Sequence, residues 1–465
     1  MRKKNKLYAL LGVLLVLCIA VVLVNNHEEK KEQIKNSGEV ILEISKDDVN
    51  ALSWTNESGT FSFTKDEKWT YDDDAAFPVD EDKINDLLEQ FESLGAAFVI
   101  DDVEDYSLYG LDDPICTIII VTDEESYTIE LGDYSKMDEQ RYASIGDGKV
   151  YLLTHDPLEE YDVVLKDMIL DDEIVEFETD DVKQIEFSGS ENYTIIKDED
   201  KKSICEDDIY FTNDSPLDSD NVSSYIRKIK SLSLGDYVSY NVTDEELAVY
   251  GLDNPELIVK LEYSNDETED GELKLSISCN VEELEAYNKA EENEEEDLPE
   301  VTCYIRVNDS QIIYEITQDK YDELTAVSYD TLRHQELFTA DFDTVTSIDV
   351  SLNGESYTFN CEKAKDDDEE DKWTYNEEEI DTSALETSIC AIEADSFINE
   401  ATITQEEISL TIHLDNEDFP SFELTLYRFD GTNCVAYVDG KVSAYVARSE
   451  VVDLIEAVNK IILGA

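Results

Sequence analysis

Three times along the chain the same succession of apolar and polar positions returns. Each round opens with a polar residue and Val leading into a strictly alternating run. Asp48-Val49 leads into Ala51-Leu52-Ser53-Trp54, Asp181-Val182 into Gln184-Ile185-Glu186-Phe187, and Thr344-Val345 into Ser347-Ile348-Asp349-Val350. A period of two puts one face of a strand on a core and the other in solvent. Second strands are predicted at Thr60–Thr64, Tyr193–Lys197 and Ser356–Asn360. The period then lengthens, predicting helices over Ile84–Leu94, Val222–Leu232 and Ala384–Ile392.

After the first helix comes Tyr109-Gly110-Leu111-Asp112-Asp113-Pro114, and after the second Tyr250-Gly251-Leu252-Asp253-Asn254-Pro255. Glycine allows a turn conformation, proline fixes φ, and Tyr and Leu supply apolar anchors, so the motif reads as a structural corner. Apolar strands follow at Cys116–Val121 and Leu257–Tyr263. Each round should end on a hairpin. Asp147-Gly148 and Asp439-Gly440 are the expected turns, with positive φ at both residues, and Asn308-Asp309-Ser310 takes that place in the middle copy. The third round keeps Trp373-Thr374-Tyr375, matching Trp69-Thr70-Tyr71, but has Thr402–Ile408 where the corner should be. It is read as a degenerate copy.

The expected class is therefore α+β: tandem mixed, mainly antiparallel sheet modules with one or two helices each, behind one N-terminal membrane helix. Module 1 spans 39–170, module 2 spans 171–335 and module 3 spans 336–465. An acidic insertion at 281–300 in module 2 is expected to be a solvated, mobile loop. Cys279 and Cys303 flank its base, near enough for a disulfide if their strands pair, with two free thiols as the competing reading.

Leu7–Val24 carries no charge and is about one bilayer crossing long. Arg2, Lys3, Lys4 and Lys6 precede it, so residues 1–6 form a cytoplasmic tail, and everything from the linker 25–38 onward is expected outside. A cleaved signal is the alternative, although no small-x-small site follows the span. Cys18 invites a lipoprotein reading, but bulky Leu17 fits that processing site badly.

Lys and Arg number 35 against 115 Asp and Glu, giving a net charge of −80, which excludes nucleic acid as a partner. With 41% of residues hydrophobic, the acidity belongs to surfaces of folded domains. The chemistry of a catalyst is not marked. His27, His155, His334 and His413 are scattered and read as structural, no Gly-x-Ser-x-Gly elbow occurs, and none of the cysteines forms C-x-x-C. Acidic runs at Asp72–Asp74, Glu291–Asp297 and Asp366–Asp371 lack the glycine-bearing calcium loop, so weak, non-specific divalent cation binding is the most they suggest. No cofactor is called for. Trp54, Trp69 and Trp373 read as core or half-buried sheet residues.

The helix, the Tyr-Gly-Leu-Asp-x-Pro run, the apolar strand, Leu131-Gly132-Asp133 and the hairpin ending in Val150-Tyr151 together resemble the bacterial family named domain of unknown function 4340. The likeness covers modules 1 and 2 well and module 3 loosely. The resemblance implies an N-terminally anchored envelope protein, often encoded beside ABC-type transporter components, and it carries over no catalytic residue. The expected function is a non-enzymatic extracytoplasmic binding or scaffold protein on the cell membrane, with an ABC-type permease or other envelope protein as partner. A surface adhesin or wall-associated binder is the alternative, and a carboxylate-dependent hydrolase is the third.

Overall fold

A computed structural model describes residues 38–464, apart from 214, 265–269, 294–296, 365–370 and 404. The tail and membrane span expected over 1–24 lie outside these residues. Among the described residues no helix is long and apolar enough to cross a membrane. The described residues divide into two compact units, one of those up to 173 with 237–242 and the other of those from 174 to 236 with those from 243 onward.

The alternating runs build three nine-stranded sheets. In the first, Trp69–Tyr71, Gly59–Lys65, Val49–Asn56, Cys116–Thr122, Ser126–Ser135, Gln140–Ser144 and Val150–Leu153 lie side by side in that order. The second repeats the order with Tyr210–Thr212, Tyr193–Lys197, Val182–Gly189, Leu257–Tyr263, Gly271–Cys279, Cys303–Val307 and Ile313–Ile316. The third repeats it again with Lys372–Tyr375, Glu355–Glu362, Val345–Leu352, Gln405–Leu414, Ser421–Arg428, Asn433–Val438 and Lys441–Ala447. Every pairing within these runs is antiparallel, so the expected mixed character is absent from them. The degenerate third copy therefore has the same topology as the other two.

The repeat extends to local irregularities. A 3-10 turn precedes each opening strand, at Lys46–Asp48, Thr179–Asp181 and Phe342–Thr344. In each sheet the register then slips just after the opening valine, between Val49 and Ala51, Val182 and Gln184, and Val345 and Ser347. Such a bulge increases the local twist of the strand that carries it.

One face of every sheet is dry. Leu52 and Trp54 point inward with Phe63, Ile118 and Ile120, and Trp54 stacks on Phe63 at 5.5 Å between ring centroids. The helix Glu81–Glu89, capped by the Asp80 carboxylate, covers this face with Ile84, Leu87 and Leu88. In the second module Ser219–Lys230, capped by Asp218, buries Val222, Tyr225, Ile226 and Ile229. In the third, Ser383–Cys390 and the C-terminal helix Arg448–Leu463 share the task with Leu385, Ile389, Val451, Leu454 and Val458. Trp69 and Trp373 are buried as well.

Two expectations change. Residues Val281–Glu292 of the acidic insertion form a helix. Asn280 accepts the amides of Glu282 and Glu283, and acidic side chains in the first turn suit the positive end of the helix dipole. Glu283 also accepts the Thr302 amide at 2.8 Å, which ties the helix to the following strand. The two Asp-Gly turns also differ: Asp439 and Gly440 both have positive φ, as expected, whereas at the first hairpin Gly146 and Gly148 take positive φ instead of the Asp147-Gly148 pair.

The Tyr-Gly-Leu-Asp motifs form the same corner in both copies. Tyr106–Tyr109 and Leu247–Tyr250 are 3-10 turns, ended by Gly110 and Gly251 with φ of 68° in each. Leu111 and Leu252 are buried, Pro114 and Pro255 are half-buried, and Asp112 and Asp253 face solvent. Tyr109 packs edge-on against Tyr142, and Tyr250 does the same with Tyr304. In the first copy the corner presses on Gly132, where an added Cβ would sit 2.2 Å from the Tyr109 carbonyl oxygen. Backbone cannot yield as a side chain can, so Gly132→Ala should destabilise its module by about 2 kcal/mol in urea unfolding. Gly431→Ala, which meets nothing within 4 Å, should cost less than about 0.5 kcal/mol. Equal effects would refute the close-packed corner.

Candidate functional site

The loop joining Tyr193–Lys197 to Tyr210–Thr212 carries three polar residues with restricted freedom. Asp198 donates its amide to the Ile209 carbonyl at 2.8 Å, closing the loop, and the Asp208 amide donates to the Cys205 carbonyl at 3.2 Å, making a tight turn. Ile204 packs against the core of the third module. Consequently Asp208 is fixed with its side chain only 1% exposed, and the Ser203 hydroxyl donates to its Oδ2 at 2.7 Å.

His334 arrives from far along the chain, two residues beyond the short helix Tyr329–Leu332. That helix is held to the sheet layer because the Asp218 amide donates to the Leu332 carbonyl at 3.0 Å. The imidazole Nε2 then lies 2.8 Å from Asp208 Oδ1, while Nδ1 lies 3.7 Å from Asp218 Oδ2. Asp218 is itself immobilised as the cap of Ser219–Lys230. Cys205 completes the group: its sulfur, an Asp208 oxygen and a His334 nitrogen lie within 4.8 Å of one another.

Burial works against a charged imidazole here. Hydrogen bonds to Asp208 and Cys205 and the charges of Asp208 and Asp218 outweigh it, holding His334 up at about 10. With Nε2 bonded to one carboxylate and Nδ1 facing another, the imidazolium has no lone pair left to take the Cys205 proton. The group therefore lacks the free base of an activated Cys-His nucleophile. Thiol, imidazole and carboxylate are, however, the donor types that hold transition metals. Ser203 and Asp208 also line a groove of about 420 Å³, together with Lys201 and Lys202 and, opposite them, Asp415–Phe419.

The residues singled out by sequence sit elsewhere. Tyr109, Gly110, Leu111, Asp112 and Pro114, and Tyr250, Gly251, Leu252, Asp253 and Pro255, build the two corners described above. Cys279 and Cys303 are directly opposed on adjacent strands, and both are free thiols. The Cys279 thiol donates to the Tyr321 hydroxyl at 3.4 Å and that of Cys303 to the Val301 carbonyl at 3.6 Å. Burial pushes Cys303 up to about 12. Among the described residues Asp72–Asp74 belongs to no three-ligand group, while residues 294–296 of the second acidic run and 366–370 of the third lie outside them. Of the other histidines, His413 pairs with exposed Asp349 at 2.9 Å and His155 meets the Gln90 carbonyl at 3.1 Å, both local structural contacts. The spacing of His334 along the chain gives no sign of its partnership with Asp208. Asp208 lies 126 positions away, and only the fold brings the two together.

His334→Gln should leave the buried Asp208 carboxylate without its counter-ion, at a cost of about 3 kcal/mol near pH 6 in metal-free protein. His334 is raised above its ordinary value of 6.5, so the stability it adds is complete below that value and disappears as pH rises through about 10. Denaturant unfolding of the two proteins across that range should show their difference shrinking with pH. A difference independent of pH would contradict the ion pair.

A family model described as Domain of unknown function (DUF4340) matches residues 69–215 and 208–411. The matches are offset from the sheets: the first starts at Trp69–Tyr71 and ends among the early strands of the second sheet, and the second starts just before Tyr210–Thr212 and ends within Gln405–Leu414 of the third. The second match thus enters the third module, where the resemblance is looser. No curated protein and no solved structure matches the chain. With the two matches together spanning well over half of its length, the chain belongs to the DUF4340 family.

Proposed function

We propose that the chain is a membrane-anchored, extracytoplasmic binding or scaffold protein that docks onto another envelope protein, an ABC-type permease being the partner the family resemblance favours. The observation that carries the reading is the one-sidedness of the sheets. In the first module the face opposite the core presents Ser53, Thr55, Ile119 and Thr128, aligned across neighbouring strands. In the third it presents Asp349, Thr358, Thr411 and Glu423 in the same way. Broad, shallow, polar faces repeated along one chain suit recognition of a protein surface better than enclosure of a small substrate. The uncharged span Leu7–Val24 supports the anchoring, and the net charge of −80 implies a basic or cation-bridged partner surface.

Gentle detergent extraction followed by affinity purification of the full chain should recover an integral membrane partner in stoichiometric amount. Because the attraction is electrostatic, the complex should dissociate measurably faster at about 1 M salt, where the screening length falls to about 3 Å. A strictly solitary protein, or a complex indifferent to salt, would contradict the proposal, as would a mature chain that begins beyond Val24.

A further inference from the structure

The groups around His334 exceed what an ion pair needs. One carboxylate neutralises an imidazolium, yet here two carboxylates flank the ring and a thiol adjoins it. Ser203 occupies Oδ2 of Asp208 and leaves Oδ1 directed at the imidazole Nε2. On the far side of the ring, Asp218 Oδ2 faces Nδ1 at 3.7 Å. A carboxylate facing one nitrogen of an imidazole whose other nitrogen meets a second acid, with a thiol adjoining the group, is an arrangement by which proteins orient a metal-binding histidine.

The dimensions agree. A tetrahedral ion with bonds of about 2.0–2.3 Å holds its ligand atoms about 3.3–3.8 Å apart. The sulfur, nitrogen and oxygen already lie within 4.8 Å of one another, so closure requires side-chain shifts of about an ångström. Sulfur and nitrogen donors select zinc-like ions over calcium and magnesium, which prefer oxygen.

The location gives such an ion a task. Both ligand-bearing segments also grip the third module: Ile204, beside Cys205, packs against its core, and Arg333, beside His334, lays its guanidinium 3.1 Å from the centre of the Phe397 ring. A bridge between Glu336 and Glu393 continues the join. Asp208 borders the groove that faces Asp415–Phe419. We propose that Cys205, Asp208 and His334 bind one zinc-class divalent ion, which displaces the Cys205 thiol proton and one imidazole proton of His334 to solvent and locks the junction between the second and third sheets.

The test is cobalt(II) added to the full chain in detergent after chelator treatment, because cobalt reports its ligands by colour while the many surface carboxylates do not. One equivalent should produce a thiolate-to-cobalt charge-transfer band and tetrahedral visible bands, both bleached by one equivalent of zinc(II). Cys205→Ser, at a half-exposed position that tolerates the change, should abolish the charge-transfer band, whereas Cys390→Ser at an exposed thiol should leave it intact. Asp218→Asn should weaken cobalt binding by about tenfold or more. Absence of a thiolate band in the wild-type chain, or its persistence in Cys205→Ser, would overturn the proposal. Neither result would bear on membrane anchoring or on the docking partner.

Discussion

The structure depends on a one-sided sheet sealed by helices. An antiparallel sheet with one wet face must bury the other, and three times in this chain that burial is done by a helix capped or packed at a fixed place in the strand order. Leu52, Trp54 and Phe63 under Ile84 and Leu87, Ile185 and Phe187 under Tyr225 and Ile226, and Ile348 and Val350 under Leu385 and Leu454 are the same solution. Because each sheet completes its own core, acidic residues can crowd the remaining surface without breaching it. The repeated bulge after Val49, Val182 and Val345 shows that even the irregularity is part of the repeat.

The corner and the candidate site illustrate two uses of this frame. Gly110 and Gly251 turn the chain from the helical layer back into the sheet, and the motif's Tyr, Gly, Leu and Pro positions pack against the fold while Asp112, Asp113, Asp253 and Asn254 face solvent. The Cys205–Asp208–His334 group instead gathers side chains from a loop and from the segment leading out of the module. Its parts are fixed by what they do for the fold: Asp218 caps a helix, Ile204 packs against a neighbouring core, and the Leu332 carbonyl accepts the Asp218 amide. A buried acid held this firmly is poised to accept a cation, whether imidazolium or metal.

Much of the architecture was legible because it is written in local periodicity. Period-two runs marked the strands, and the Asp-capped apolar helices at Glu81–Glu89 and Ser219–Lys230 stood out by their spacing. The C-terminal helix Arg448–Leu463 follows the last hairpin strand at the place where the other modules have the shorter helices Leu158–Tyr161 and Gln318–Thr325. Length and charge suggested a loop over 281–300, yet Asn280 and a run of good helix formers decide for a helix over Val281–Glu292, and charge alone does not oppose helix formation. The candidate site was illegible for a different reason. Cys205 and Asp208 share a turn, but His334 reaches them only through the packing of Tyr329–Leu332, and no local pattern encodes that approach. The register that sets Cys279 opposite Cys303 is likewise a property of the assembled sheet.

Hydrogen–deuterium exchange of the intact chain addresses the central claim most directly. If three equivalent sealed sheets exist, the slowest amides should fall in the central strands of all three, at 52–55, 185–188 and 348–351, with protection well above that of the connecting turns. Rapid exchange across 345–352, with protection confined to the first two sheets, would show that the third copy does not form the same one-sided core, and the account would fail.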